Sequence, residues 1–348
     1  MLDFSSDYAR GCHQEILSAL AKTNDQSFPG YGADELCARA TQLIRDACAC
    51  PEASVIFLEG GTQTNQIASK MLLRPWQGIV AAETAHVATH EAGAIEHAGH
   101  KVLTLPAHDG KISAAAVTTC LEAHAADENR EHMVEPGMVY ITHPTEYGTL
   151  YTLEDLEALA RACKRGGIPL YLDGARLGYA LAAQDADVTL ADIARLTDCF
   201  YIGGTKLGAL FGEALVMPRM AYPRSLSLVK QSGALMAKGW LLGLQFATLF
   251  DGAKPGSAEG SLYLRGAQNA IRCAGILREG LLAKGYELAV GSPTNQQFAI
   301  VGDDELERLG TFVRYGFWEK VEAGRTVIRF ATSWYTTEDE VHELLGML

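Results

Sequence analysis

Short apolar segments alternate with helix-length amphipathic segments over the first two thirds of the chain, and this alternation limits the fold more than any other feature. The segments that read as buried strands are 54–58, 78–82, 101–105, 138–142, 168–172 and 199–203. Between two of them, Thr152 and Asp155 form a capping box, and Gly166 and Gly167 end the helix that follows. Strand, helix and strand at this spacing predict an α/β fold whose mainly parallel sheet has helices on both faces.

The pattern changes after about residue 220, where longer helical segments precede the strand-like segments FAIV and TVIRFATSW. A short final helix begins after Thr337, so we expect a smaller α+β domain at the C-terminal end. The boundaries that we expect are an N-terminal segment over 1–20, a large domain over 21–245 and a small domain over 246–348.

The chain is acidic, which limits its partners. Its 348 residues include 42 Asp and Glu against 29 Lys and Arg, for a net charge of −13. This charge argues against nucleic acid and against an anionic membrane surface, so any anionic ligand needs a local cluster of donors. No stretch of about 18 apolar residues is present, and no membrane span is expected.

Cysteine and histidine usage suggests an ordinary reduced protein. The eight cysteines include no C-x-x-C pair and read as small buried hydrophobes. The histidines at 86, 90, 97 and 100 do not form an H-E-x-x-H motif, so no metal site is predicted. With no secretory signal pattern in the first residues, we expect a cytoplasmic protein.

One lysine and two further charged residues follow two of the predicted strands. Lys206 stands in YIGGTKLGALFGE just past 199–203, and Asp173 and Arg176 stand just past 168–172. The carboxyl ends of parallel strands form a ligand crevice, so we expect these three side chains to converge. Burial among glycines and apolar residues disfavours the ammonium form of Lys206 and leaves a nucleophilic amine.

A glycine-rich turn supplies an expected anion cradle. In LEGGTQTN a strand ends at Leu58, and the helix that follows opens with free N–H groups that face an anion. The absence of G-x-x-x-x-G-K-[ST] excludes a P-loop, and the absence of G-x-G-x-x-G weakens the interpretation as a dinucleotide site. A phosphate cradle, a buried lysine for a Schiff base and a strand-end aspartate for a pyridinium nitrogen meet the needs of pyridoxal 5'-phosphate.

The motifs AHVATHEAGA, GTQTN, LDGARLG and GGTKLG resemble, in their order along the chain, the threonine aldolase / β-eliminating lyase family of fold-type-I pyridoxal phosphate enzymes. FSSDYARG, GYGAD and IRFATSW extend the resemblance from about residue 3 to residue 335. It implies an aspartate-aminotransferase-like fold, with a large pyridoxal phosphate-binding domain and a small α+β domain. The N-terminal segment then packs at the active site.

The resemblance also implies roles for individual residues. The cofactor-binding set is the Schiff-base lysine Lys206, the pyridinium partner Asp173, the ring-stacking His86, Arg176, and for the phosphate Gly61, Thr62 and Gln63. The substrate-binding set is Arg176 and Arg329 for the carboxylate, with Ser6 close by and Tyr31 reaching across a subunit interface. Lys230 or Lys238 is expected to touch the neighbouring subunit's phosphate. A homodimer or homotetramer follows from this arrangement.

The segment ITHPTEYG departs from the family's usual pattern, in which a second histidine lies further on. Three candidates for the acid/base group therefore remain, namely Glu146, His143, or a water ordered by His86. We expect retro-aldol cleavage of a small β-hydroxy-α-amino acid, of the threonine or allo-threonine type, to glycine and an aldehyde. The alternatives are β-elimination or transamination of another amino acid, a nucleotide-dependent oxidoreductase, and a non-catalytic homologue.

Overall fold

The computed structural model describes residues 1–219 and 221–348. Its strands are β1 (Leu2–Asp3), β2 (Ser54–Leu58), β3 (Gln77–Ala82), β4 (Val102–Leu105), β5 (Glu135–Thr142), β6 (Leu170–Asp173), β7 (Cys199–Gly203), β8 (Glu213–Met217), β9 (Glu287–Leu288), β10 (Gln296–Gly302), β11 (Val313–Arg314), β12 (Gly316–Glu322) and β13 (Arg325–Ala331).

The helices that accompany these strands are α1 (Gln14–Thr23), α2 (Glu35–Ala47), α3 (Gly61–Leu72), α4 (His86–Thr89), α5 (Ala94–His97), α6 (Ala114–Ala126), α7 (Leu153–Gly166), α8 (Leu177–Ala182), α9 (Leu190–Leu196), α10 (Ser225–Gln231), α11 (Trp240–Phe250), α12 (Leu262–Ala283), α13 (Asp303–Gly310) and α14 (Glu338–Met347). Short 3₁₀ turns span Arg130–His132 and Thr205–Leu207. None of the helices in the described residues combines the length and the apolar character that crossing a membrane requires.

The large sheet has the strand order β2-β8-β7-β6-β5-β3-β4. Strands β7, β6, β5, β3 and β4 run parallel to one another, and β8 runs antiparallel to both β2 and β7. Strands β6, β7 and β8 are buried along their whole length, as expected for apolar strands covered by helices on both faces. The predicted α/β class with a mainly parallel sheet is confirmed.

The predicted strands and caps correspond closely to elements of the structure. Segments 54–58 and 199–203 are β2 and β7, and the other four predicted strands differ from their elements by up to three residues. The capping box of Thr152 and Asp155 is present at α7, and Gly167 ends that helix in the left-handed conformation. Strand β8 was not predicted, because its short apolar run follows the Lys206 segment without a separating helix.

The second sheet has the order β12-β13-β10-β9 and is antiparallel throughout. Strand β1, at the start of the chain, pairs with β11 of this C-terminal part. Phe4 belongs to the same hydrophobic core as Phe330 and Leu344. The N-terminal segment is therefore packed against the C-terminal sheet before the chain enters the large sheet at β2.

The two hydrophobic cores meet along α12. Its first half, to Ala270, packs in the core of the large sheet, and the part from Cys273 packs in the core of the small one. Helix α11 runs through residue 245 without a break. The division of the chain at residues 20 and 245 stays a prediction.

Candidate active site

The carboxyl-terminal edge of the large sheet brings the predicted site residues together. Strand β6 ends at Asp173, and β7 ends at Gly203, two residues before the turn that carries Lys206. Strand β2 points in the same direction and ends at Leu58, so α3 begins at Gly61 on this edge as well. The crevice expected from strand order alone is therefore formed by β2, β6 and β7.

The amine of Lys206 is half-buried and without a partner. Its Nζ forms no hydrogen bond or ion pair with any described residue, while its main-chain oxygen accepts a hydrogen bond from the Tyr179 hydroxyl at 2.6 Å. Burial lowers the pKa of Lys206, and the positive charge of Arg176 lowers it further. Nearby carboxylates oppose this effect without cancelling it. The site therefore makes the neutral amine that a carbonyl-binding lysine needs easier to form than in an exposed lysine.

A buried carboxyl group faces the same turn. Strand β8 begins at Glu213, which lies in register with Gly203 of β7 and is 4% exposed. Its Oε1 accepts a hydrogen bond from Thr205 Oγ1 at 2.9 Å, and its Oε2 accepts one from the Gly204 amide at 3.1 Å. Burial raises the pKa of Glu213 to about 8. The β7–β8 hairpin thus places beside Lys206 a carboxyl group that lies seven residues away in sequence.

Asp173 is held by a hydrogen-bonded network of buried side chains. Its Oδ2 accepts hydrogen bonds from Tyr140 at 2.6 Å and from Asn65 Nδ2 at 3.0 Å. Asn65 in turn accepts a hydrogen bond from Tyr171 at 2.8 Å and donates one to Glu91 Oε1 at 2.7 Å. These contacts fix the Asp173 carboxylate as an acceptor at the base of the crevice.

His86 joins the same network through Glu91. The distance between His86 Nδ1 and Glu91 Oε1 is 2.8 Å, and the Glu91 side chain is fully buried. Burial alone would lower the pKa of His86, but the Glu91 hydrogen bond and the charges of Glu146 and Asp173 raise it. The second Glu91 oxygen is buried without a hydrogen-bond partner among the described residues. The Glu91 hydrogen bond therefore favours the imidazolium form of His86 over the neutral ring.

Arg176 forms a buried bidentate ion pair with Asp7, which the sequence did not predict. Its Nε and Nη2 donate to the two oxygens of Asp7 at 2.7 and 3.0 Å, and Asn295 donates to the same carboxylate at 3.0 Å. Although burial favours the neutral acid, Arg176 lowers the pKa of Asp7 to about 2. Ser6 is buried beside this pair, and its main-chain oxygen accepts a 3.4 Å hydrogen bond from Tyr335.

Arg329 approaches the same region from β13. Its Nη1 donates to Gln296 Oε1 and its Nη2 to the Ser5 carbonyl, both at 3.0 Å. Its Nε is buried without a partner in the described part of the chain. Burial and the nearby Arg176 charge lower the pKa of Arg329. Arg176 and Arg329 therefore lie in the same region, and the buried Nε–H of Arg329 has no described acceptor.

The start of α3 presents free backbone donors. The N–H groups of Gly61, Thr62 and Gln63 have no backbone partner among the described residues. The Gln63 side chain accepts a hydrogen bond from the Glu59 amide at 3.1 Å. A Cβ on Gly61 would lie 3.0 Å from the Tyr201 hydroxyl, so glycine is the residue that fits there. This end of α3 suits a phosphate group.

The two candidate acid/base side chains lie in different surroundings. His143 is 2% exposed, its Nδ1 accepts a 3.4 Å hydrogen bond from the Tyr151 amide, and burial lowers its pKa to about 4. The charges that act on it are those of Asp187 and Lys111. The charge of Glu146 acts instead on the groups of the crevice, which are His86, Arg176, Lys206 and Arg329. The charge of Glu146 therefore acts on the groups of the crevice, whereas the His143 ring is buried against Tyr151.

Tyr31 lies on the surface with one of the lysines expected beside it. Its ring is 51% exposed and sits 4.9 Å from Lys230 Nζ, and its amide donates to the Ala237 carbonyl at 3.1 Å. Lys238 is exposed nearby. Within one chain, none of these three side chains forms a hydrogen bond or ion pair with the described residues of the crevice.

Sequence reasoning missed several residues of this site. Asp7 and Glu91 stand inside the motifs FSSDYARG and AHVATHEAGA, so their positions were in view but their burial was not. Glu213 lay at the end of the Lys206 segment, and Tyr140 lay inside a predicted strand. A buried charge is visible only once its partner is known, and these partners are distant in sequence.

Comparisons with known proteins agree with the fold and with the resemblance. The family described as Beta-eliminating lyase matches residues 3–289. A low specificity L-threonine aldolase from a Pseudomonas species is 31% identical over 98% of this chain and 95% of its own length. One from Pseudomonas aeruginosa is 30% identical, again over 98% and 95%.

Solved structures support the same conclusion. Threonine aldolase from Leishmania major superposes with a TM-score of 0.94 at 43% identity, covering 99% of this chain and 98% of that one. Aspartate aminotransferase from Thermus thermophilus has a TM-score of 0.72 at 17% identity, covering 100% and 90%, which shows a shared fold alone. The chain therefore belongs to the β-eliminating lyase family and has the aspartate-aminotransferase-like fold of type I.

Proposed function

We propose that this chain is a pyridoxal phosphate-dependent lyase that cleaves a β-hydroxy-α-amino acid, of the threonine or allo-threonine type, to glycine and an aldehyde. The observation that carries the proposal is a Lys206 amine without a partner among the described residues, on the same edge of the sheet as the buried Asp173 carboxylate and the free donors at the start of α3. The names of the related threonine aldolases support this reaction over the others considered.

The residues fit the cofactor in charge and hydrogen bonding. Lys206 would hold its aldehyde carbon, Asp173 would accept from the ring nitrogen, and the amides of Gly61 to Gln63 would bind its phosphate. When bound, pyridoxal phosphate supplies a ring that accepts electrons from the substrate's Cα. His86, fixed by Glu91, would cover one face of that ring.

Arg176 and Arg329 would hold the substrate carboxylate, with Ser6 beside them. Asp7 occupies Nε and Nη2 of Arg176, which leaves Nη1 for a ligand, and the buried Nε of Arg329 has no partner among the residues that the structure describes. Arg176 is paired with Asp7, whereas Arg329 forms an ion pair with no described carboxylate, so a substrate carboxylate is favourable there.

Glu146 is our first candidate for the group that removes the proton from the β-hydroxyl oxygen. Its charge acts on His86, Arg176 and Lys206, so its carboxylate lies within range of a substrate held among them. A water ordered by His86 is the second candidate, and His143 is the third because its ring is buried against Tyr151.

Product analysis tests the reaction. The purified protein is incubated with each isomer of threonine and allo-threonine, and glycine, aldehyde and keto acid are quantified. We expect equal amounts of glycine and acetaldehyde. 2-Oxobutyrate with ammonia would indicate β-elimination instead, and no product from any isomer would contradict an aldolase. Lys206→Ala is the control, because it should abolish both turnover and the visible absorbance of bound pyridoxal phosphate.

We also propose a homodimer or homotetramer in which Tyr31 and either Lys230 or Lys238 complete the neighbouring subunit's site. The position of Tyr31 on the surface beside Lys230 supports this arrangement. Mixing inactive Lys206→Ala subunits with weakly active Tyr31→Ala subunits should restore part of the activity, since each hybrid has one intact site. Activity that stays at the level of the separate variants would argue against shared sites. A cytoplasmic location stays a prediction.

A further inference from the structure

Glu213 and Thr205 form a hydrogen-bonded pair beside the cofactor-binding lysine. Thr205 Oγ1 lies 2.9 Å from Glu213 Oε1 and 3.0 Å from the Gly212 amide, which can only donate. Glu213 Oε2 receives the Gly204 amide at 3.1 Å. All four residues belong to the β7–β8 hairpin that carries Lys206, so this cluster sets the shape of the turn.

The direction of the hydrogen bond between the two side chains depends on whether Glu213 is ionised. A hydroxyl group has one hydrogen to donate and two positions that accept. An ionised Glu213 only accepts, so the Thr205 hydrogen must then point at Oε1. A proton on Oε1 reverses the bond: Glu213 and the Gly212 amide both donate to Thr205, and the Thr205 hydrogen becomes free for a third group. Gly204 satisfies Oε2 in both cases.

That third group can be the phosphate of the proposed cofactor. Glu213 pairs directly with Leu58, the last residue of β2, and α3 begins three residues later at Gly61. A Cβ on Gly212 would lie 3.3 Å from the Leu58 carbonyl oxygen, so the turn borders the segment that leads into α3. A phosphate on the free amides of α3 would therefore approach the Thr205 hydroxyl.

The surroundings of Glu213 act on its pKa in both directions, and the net effect is to raise it. Burial is the main cause that raises its pKa to about 8, and the negative charge of Asp173 adds to it. The hydrogen bonds from Thr205 and Gly204 and the charge of Lys206 oppose this rise. The charge of Glu213 in turn raises the pKa values of three neighbouring phenols, those of Tyr171, Tyr201 and Tyr263. A phosphate dianion nearby would further disfavour an ionised Glu213.

We propose that Glu213 is a positioning residue that, as an un-ionised carboxyl group, turns the Thr205 hydroxyl toward the phosphate of the cofactor. The proposal rests on the proposed pyridoxal phosphate site and concerns retention of the cofactor, whichever bond of the substrate is broken. Ionisation of Glu213 withdraws the Thr205 donor and places a negative charge beside the phosphate. Raising the pH through about 8 therefore weakens phosphate binding specifically.

The test compares pyridoxal phosphate with pyridoxal, which lacks the phosphate, on the cofactor-free full-length protein. Dissociation constants of both are measured at pH 7 and pH 9 by the change in absorbance. The ratio of the two dissociation constants cancels the effect of Lys206 titration, because that effect is the same for both compounds. For the wild type, the preference for the phosphorylated compound should fall about tenfold between the two pH values, as the un-ionised fraction of Glu213 falls.

Two variants separate a specific role from a structural one. In Glu213→Gln the amide NH₂ replaces the carboxyl O–H toward Thr205, so the preference should stay high and lose its dependence on pH. In Thr205→Val the preference should be low at both pH values, and Thr205→Ser should restore the wild-type behaviour. Circular dichroism checks that each variant has folded. If Glu213→Gln does not fold, the comparison of Thr205→Val with Thr205→Ser is sufficient to test the proposal.

Three outcomes would overturn the proposal. A wild-type preference that is the same at pH 7 and pH 9 means that Glu213 does not control the phosphate site. A fall of equal size in wild type and Glu213→Gln assigns the effect to another group. If pyridoxal phosphate binds at neither pH, the cofactor proposal and this proposal are both overturned. This outcome differs from the first two outcomes, in which pyridoxal phosphate does bind.

Discussion

Replacing Asp7 by asparagine should destabilise the protein strongly, because it removes the partner of a buried cation. Asp7 is fully buried, and both of its oxygens accept hydrogen bonds from Arg176, which is 7% exposed. The amide NH₂ of the introduced asparagine would face one of the Arg176 donors, so two donors would oppose each other. Arg176 would keep its charge without a counter-ion in a buried position.

The size of the effect follows from the ionisation of Asp7. Its pKa falls from 3.8 to about 2, which corresponds to ~2.5 kcal/mol of favourable interaction with the charged form. Breaking a buried pair by removal of one partner costs about 3–5 kcal/mol, since the remaining charge stays desolvated. We therefore expect Asp7→Asn to lower the free energy of unfolding by about 3 kcal/mol at neutral pH.

The pH dependence has a definite sign. A carboxylate whose pKa is lowered on folding stabilises the protein above its unfolded pKa, and this contribution is lost as the pH falls through the folded pKa. For Asp7 the loss takes place between about pH 4 and pH 2. The difference between wild type and Asp7→Asn should therefore be the same at pH 5 and at pH 7.

Urea denaturation followed by circular dichroism measures the effect, with Glu259→Gln as the matched control. Glu259 and Lys254 form a 2.7 Å ion pair in which both side chains are more than half exposed, so the same carboxylate-to-amide change should cost less than about 1 kcal/mol. If Asp7→Asn shifts the midpoint no more than Glu259→Gln, or if its effect halves between pH 7 and pH 5, the reasoning about this buried pair is refuted.

Three further predictions follow from the same contacts. Glu91→Gln should lower the pKa of His86, because it removes the 2.8 Å hydrogen bond to a charged acceptor; imidazole NMR titration measures this, and an unchanged pKa contradicts it. Gly174→Ala should destabilise the fold by about 3 kcal/mol in thermal unfolding, since the new Cβ would clash with the main-chain oxygen of Tyr201 in β7. Glu146→Gln should lower kcat by about 10²-fold or more, while His143→Gln should keep more than about a tenth of it; the reverse order would transfer the acid/base role to His143.

The sequence by itself determined the elements that depend on neighbours along the chain. The capping box at α7 and the left-handed Gly167 are set by residues within one or two turns of helix, and both are present. The positions of Asp173 at the end of β6 and of Lys206 just past β7 follow from the strands themselves, which were read from runs of apolar residues. Such patterns predict a parallel sheet and its crevice because connections in α/β folds are short and regular.

The tertiary structure decided which charged groups meet, because burial and pairing depend on contacts between distant segments. Asp7 is 169 residues from Arg176 and 288 from Asn295, and no local pattern links them. Because β8 pairs antiparallel with β7, Glu213 lies against the turn that carries Lys206. Packing around β5 buries the His143 ring in the interior. Local sequence specifies where a side chain leaves the backbone, whereas its ionisation depends on the whole set of groups that packing places around it.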